Sequence, residues 1–247
     1  MLTAFFHENQ KVALAFSGGV DSAYLLYMAK KCGAEVCAYY VKTPFQPRFE
    51  YDDALLLAKQ LDVPMTVLEL DVLSDPTITA NPKMRCYHCK KKIFTAILAQ
   101  AKQDGYPLVI DGTNASDACA DRPGMQALLE FGIRSPLREC GLTKKDIRRL
   151  SKEANLFTYD KPSYACLATR IPTGTPITAE LLNKTERSEE FLKSLGFTDF
   201  RIRYLLDSEK LEVRESQLPL LLRHREVILS ELKKDYTTVL LDLEVRQ

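Results

Sequence analysis

The segment Ala15-Phe16-Ser17-Gly18-Gly19-Val20-Asp21-Ser22 constrains this chain more than any other stretch. The apolar run of residues 12–16 leads into it and a helical pattern over 23–32 follows, so the order is strand, glycine turn, helix. Glycines at the turn allow backbone angles closed to other residues and let a ligand approach closely. The N–H groups of the turn and the first helical turn lack helical acceptors and sit at the positive end of the helix dipole, which suits phosphate. Ser17 and Ser22 add hydroxyls, and Asp21 beside a phosphate implies a divalent metal such as Mg²⁺. No Gly-Lys-Ser/Thr follows, so this is not a Walker A loop.

The 247 residues suffice for one large domain or two modest ones. A 46% apolar, 27% charged composition fits a globular protein, and a net charge of +1 gives no bulk attraction to nucleic acid or membrane. Neither a membrane-length apolar run nor a signal-peptide pattern is seen, so a cytoplasmic location is expected. In a reducing compartment the seven cysteines are expected to be thiols, ligands or catalysts rather than disulfides.

Further strands are expected at 35–41, 65–70, 107–111 and 133–137, with helices over 49–61, 86–102 and 143–154. This alternation predicts an α/β domain with a parallel sheet, and ligands at the carboxyl ends of its strands. Thr143-Lys144-Lys145-Asp146 reads as a capping box with Asp in place of Glu. A polar connection spans 158–178, and a long ordered loop is usually functional. Beyond it, helices over 178–195 and 217–232 and strands at 200–205, 210–213 and 238–243 predict a small α+β unit. The expected division is residues 1–170 and 177–247.

Cys86 and Cys89 sit three apart at a helix start and share one face, near the helix N-terminus that favours thiolates. With Cys166 they make three candidate ligands, and His88 could be a fourth for zinc. Cys32, Cys37, Cys119 and Cys140 read as core thiols. Asp21, Asp117 and Asp121 are metal candidates, and Asp111 a turn former. Arg201 and Arg203 alternate along a strand and share a face, which fits either a solvated edge or an anion site.

SGGVDS, RCYHCK, DGTN, DRPG, IRSPL and ACLATRIPTG together resemble the LarE family of PP-loop ATP pyrophosphatases over nearly the whole chain. The resemblance implies an ATP-dependent sulfurtransferase. It would adenylate a carboxylate of pyridinium-3,5-biscarboxylic acid mononucleotide, release pyrophosphate and insert sulfur, in nickel-pincer nucleotide biosynthesis. It implies ATP on Ser17, Gly18, Gly19, Val20, Asp21, Ser22, Gly112 and Thr113, with Asp21 on Mg²⁺ and Asp21 and Cys166 catalytic. Substrate would lie on Arg170, Glu189, Arg201 and Arg203. Some members sacrifice one cysteine, matched here by Cys166. Others hold a [4Fe-4S] cluster, and Cys86, Cys89 and Cys166 place this chain with those. A small-molecule nucleotide substrate and a homo-oligomer are expected, without nucleic acid or membrane. Family chains commonly continue into a Gly- and Arg-containing tail, whereas this sequence ends at Gln247, which puts a role for that tail in question. Three other readings stay open: a cluster-dependent tRNA thiolation enzyme, an amide-forming ligase, and a nucleotide-binding module without chemistry.

Overall fold

The computed structural model describes residues 1–117 and 123–246. They form two compact units, residues 1–72 with 84–161 and residues 73–83 with 162–247. The first begins with α1 (Leu2–Glu8), β1 (Lys11–Ala15), α2 (Val20–Lys31), β2 (Glu35–Lys42), α3 (Arg48–Gln60) and β3 (Met65–Glu69). After α4 (Pro76–Thr79), which belongs to the second unit, it resumes with α5 (Arg85–Gln103), β4 (Val109–Asp111), α6 (Pro123–Glu130), α7 (Pro136–Glu139) and α8 (Lys144–Glu153).

Its sheet is parallel, in the order β3-β2-β1-β4. Strand periodicity divides the central side chains between two apolar layers. Val12, Leu14, Val36 and Ala38 pack with Phe6, Leu25 and Leu26 on one face. Ala13, Cys37, Tyr39 and Val41 pack with Phe94, Ile97 and Leu128 on the other. The central position of β1 sets the β1–α2 turn at the carboxyl edge of the sheet, beside the end of β4.

The expected fifth strand at 133–137 is not formed. Arg134 makes one parallel bridge to Ile110, and Pro136 then opens α7. Proline has no N–H for a ladder and suits the first helical turn, so pairing stops there. Helices α1 and α6 lie where no element was expected. The Asp146 capping box at Thr143 is present.

The second unit contains α9 (Ala179–Ser194), β5 (Arg201–Leu205), β6 (Ser208–Glu212), α10 (Leu218–Arg223), α11 (Arg225–Leu232) and β7 (Thr238–Leu241). Its sheet runs β5-β6-β7, antiparallel then parallel. Ile202, Leu211 and Leu241 are in register and pack with Leu192, Phe197 and Ile228. The helix expected over 217–232 is broken at His224, where ψ is 9°. The division falls between Lys161 and Pro162, ahead of the expected 170–177, and the small unit also takes 73–83. Asn81 explains this second point: its buried amide donates to the carbonyls of Ile171, Pro172 and Thr175 at 3.3, 2.8 and 3.1 Å. No helix among the described residues is long and apolar enough to cross a membrane.

Candidate functional site

In the first unit the Ser17–Gly19 turn is braced by its own hydroxyls. Ser17 Oγ and Ser22 Oγ lie 3.1 Å apart, the Ser22 hydroxyl donates to the Gly19 carbonyl at 3.1 Å, and Gly19 N–H reaches Ser17 Oγ at 3.4 Å. The Ala23 N–H bonds the Gly19 carbonyl, so the N–H groups of Val20, Asp21 and Ser22 precede the helical ladder of α2. Gly18 has φ +71°, and a Cβ there would meet Ala54 Cβ at 3.0 Å and the Glu50 carbonyl at 3.1 Å. Helix α3 therefore packs directly on the turn. Lys161 fastens it further, pairing with Glu50 at 3.0 Å and Asp53 at 2.7 Å and reaching the Gly18 carbonyl at 3.5 Å.

The turn after β4 closes on the same place. A Cβ on Gly112 would lie 2.8 Å from Ser22 N, so only glycine lets the two backbones meet. Thr113 is buried and donates its hydroxyl to Asp111 Oδ2 at 2.5 Å, while Ser135 donates to Asp111 Oδ1 at 2.6 Å. Asp111 thus shapes its turn, and the Thr113 side chain serves that turn, while its nucleotide role remains an expectation.

Asp21 stands in the first turn of α2. Its Oδ2 accepts from Lys144 Nζ at 2.5 Å, whereas its Oδ1 is buried without a hydrogen-bond partner. Burial raises the Asp21 carboxyl above its usual range, Lys144 opposes this, Asp117 adds to it and Arg148 lowers it. The orphaned oxygen and the nearby Asp117 fit a divalent cation. Asp121 lies outside the described residues, as do Cys119 and Arg122.

Cys86 and Cys89 occupy the first turns of α5, the former exposed and the latter half-buried. Arg85 Nη2 approaches Cys86 Sγ at 3.6 Å. Cys166 is half-buried in the second unit and precedes a 3₁₀ turn, Leu167–Arg170. Among the described residues no three His, Cys, Asp or Glu side chains are grouped as a metal site; Cys86 and Cys89 belong to the first unit and Cys166 to the second, and the three-cysteine set stays an expectation.

In the second unit Arg170 and Glu189 form a buried ion pair, Nε to Oε1 at 2.6 Å and Nη2 to Oε2 at 3.4 Å. Arg170 Nη1 also donates to Thr169 Oγ1 at 2.8 Å and the Ala165 carbonyl at 3.1 Å. The Tyr164 hydroxyl donates to Glu189. The Tyr164 ring faces Arg170, Lys193 and Arg201 at 4.7, 5.2 and 5.4 Å. Arg201 is buried and donates to two backbone carbonyls, Phe200 at 2.6 Å and Ser163 at 2.5 Å. Burial first, then Arg170 and Arg246, push its guanidinium down to about 10. The Glu189 and Asp199 carboxylates oppose that fall. Arg203 is more open and pairs with Glu212 at 2.5 Å. The four expected residues thus divide: Arg170 and Glu189 are committed to each other, and Arg201 and Arg203 carry the positive face.

Sequence reasoning missed Lys144, Lys161 and Tyr164. For Lys144 a signal existed, since a lysine in the first turn of a helix opposes the dipole and so suggests another task.

A family model described as "Queuosine biosynthesis protein QueC" matches residues 11–84, which include the β1–α2 turn. An uncharacterized protein of Synechocystis sp. is 34% identical over 98% of this chain and 92% of its own length. The pyridinium-3,5-bisthiocarboxylic acid mononucleotide synthase of Lactiplantibacillus plantarum is 33% identical over 88% of this chain and 79% of its own. A tRNA-specific 2-thiouridylase of Clostridium botulinum is 29% identical over 61% of this chain and 52% of its own.

Proposed function

The chain belongs to the LarE/MnmA-like sulfurtransferase family of the PP-loop ATP pyrophosphatases, and from that premise we propose that it adenylates a carboxylate of a small nucleotide and replaces the adenylate by sulfur. The observation that carries this reading is Asp21 in the first turn of α2, with one buried oxygen unpartnered beside a turn built for phosphate. The N–H groups and hydroxyls of residues 17–22 hold the triphosphate. Asp21, with Asp117 nearby, would hold Mg²⁺, which supplies charge neutralisation of the phosphates when bound. The substrate carboxylate attacks the α-phosphorus and pyrophosphate leaves, giving an acyl adenylate. Arg201 and Arg203 bind the phosphate or free carboxylate of the substrate. We propose pyridinium-3,5-biscarboxylic acid mononucleotide as substrate, on the strength of the Lactiplantibacillus relative's name.

The sulfur step is assigned to the cysteines. The resemblance offers two donors, a [4Fe-4S] cluster on Cys86, Cys89 and Cys166 or the sulfur of Cys166 itself. A Cys166 thiolate would displace AMP from the acyl adenylate, and elimination across its Cα–Cβ bond would then release the thiocarboxylate and leave dehydroalanine. Cys86 and Cys89, in the first turns of α5, form the other thiol pair. A tRNA substrate is the second reading, drawn from the Clostridium relatives, and the net charge of +1 offers it no bulk support.

Pyrophosphate release from ATP with the mononucleotide as acceptor tests the first step, and Asp21→Asn should abolish most metal-dependent turnover while leaving the fold intact. Release of ADP and inorganic phosphate would refute the reading. Intact mass after turnover tests the second: loss of about 34 Da at Cys166 marks sacrifice of its sulfur. Repeated turnover without mass loss, in an anaerobic preparation containing iron and sulfide, would move the donor to a cluster.

A further inference from the structure

We infer that Lys144 occupies the metal's place at Asp21 until the nucleotide arrives, and then passes to a phosphate, so that the divalent cation binds only together with the nucleotide. This rests on the phosphate-binding reading of residues 17–22.

Lys144 is the first residue of α8, where its charge works against the helix dipole. Its position is nonetheless carefully fixed. Its backbone N–H donates to Ser116 Oγ at 2.9 Å, and Ser116 N–H donates to Asn114 Oδ1 at 2.8 Å. The turn after β4 thereby holds the base of the lysine, and the tip meets Asp21 Oδ2 at 2.5 Å.

Charge counting supplies the rest. Lys144 and Arg148 draw on the Asp21 carboxylate, and Asp117 acts against them. A dication on the orphaned Asp21 Oδ1 would add two positive charges beside Nζ, with one carboxylate shared between two cations. A lone metal ion is therefore opposed by the lysine. A triphosphate on the adjoining turn brings the missing negative charge. It accepts the lysine, frees both oxygens of Asp21 and makes the metal welcome.

Manganese(II), followed by electron paramagnetic resonance on the full chain, tests this with and without a non-hydrolysable ATP analogue. In the wild type the analogue should tighten manganese binding at least about tenfold, about 1.4 kcal/mol of coupling. Lys144→Met should bind manganese alone about tenfold more tightly and lose most of that coupling. It should also bind the analogue in EDTA about ten- to a hundredfold more weakly, through loss of a charged hydrogen bond. Lys144→Arg, which keeps the charge, should behave nearly as wild type. Equal manganese affinity with and without the analogue in the wild type overturns the inference, even if Lys144→Met fails to fold. So does a folded Lys144→Met variant with unchanged coupling. A wild type that binds no ATP analogue at all would overturn the phosphate-site reading itself.

Discussion

Arg170 Nε donates to Glu189 Oε1 at 2.6 Å with both side chains almost wholly removed from water. Arg170 comes from the turn after Cys166 and Glu189 from the middle of α9, so the pair ties the long connection to the helix beneath it. Breaking one side leaves a buried charge, which costs about 3–5 kcal/mol. Glu189→Gln and Arg170→Ala should each lower stability by about that amount in urea unfolding, with Arg170→Met/Glu189→Leu recovering much of it. A single variant as stable as wild type would show that the pair is not needed to hold the connection.

Arg201 differs from Arg170 in donating to two backbone carbonyls rather than to a carboxylate, with two further arginines bearing on it. Arg201→Ala should raise the KM for the carboxylate substrate about ten- to a hundredfold, the value of a charged hydrogen bond, and leave the KM for ATP unchanged. Arg203→Ala should act in the same direction but less, because Glu212 already neutralises part of its charge. Steady-state kinetics with each substrate varied in turn decides. An equal effect on ATP would reassign these arginines to the nucleotide.

The phosphate turn was legible in the sequence because everything that makes it is local: an apolar run, two glycines and a helix start within eleven residues. The capping box at Thr143 was legible for the same reason. Residues 133–137 misled because a short apolar run reads as a strand until Pro136 is weighed as a helix opener. Lys144 was invisible as a partner of Asp21 because the two lie 123 positions apart. The resemblance led to Arg170 and Glu189 being expected together at a substrate site. That they satisfy each other is a fact of packing, which residue types alone do not carry.

Gly18 is held by both backbone and space. Gly18→Ala would combine a left-handed φ of +71° with a Cβ 3.0 Å from Ala54 Cβ. It should cost about 1–3 kcal/mol in thermal or urea unfolding and remove most affinity for an ATP analogue, as the turn moves off α3. Adding Ala54→Gly should recover only part, since the φ penalty and the Glu50 carbonyl at 3.1 Å remain. Full recovery of stability and binding would show that the clash alone mattered.

Glu209 is the strongest source of pH dependence in the second unit. It lies on β6, fully buried, with the Ser188 and Tyr236 hydroxyls close to its carboxyl oxygens but outside full hydrogen-bond geometry. Burial is the main cause that lifts it from 4.5 to about 8, Asp235 and Glu189 add to the rise, and the Ser188 and Tyr236 hydroxyls oppose it. The folded protein therefore keeps Glu209 protonated where the unfolded chain has already ionised. Between about pH 4.5 and 8 the unfolded state binds fewer protons, so stability should fall as pH rises and level off above 8, where both states are ionised. The full effect is of the order of a few kcal/mol. Glu209→Gln cannot ionise, so it should remove this slope while keeping the shape of the side chain. Urea unfolding of both proteins at steps from pH 5 to 9 measures it directly: the gap between variant and wild type should widen toward pH 8 in favour of the variant. A constant difference across that range would mean that Glu209 is ionised in the folded protein and has found a counter-charge.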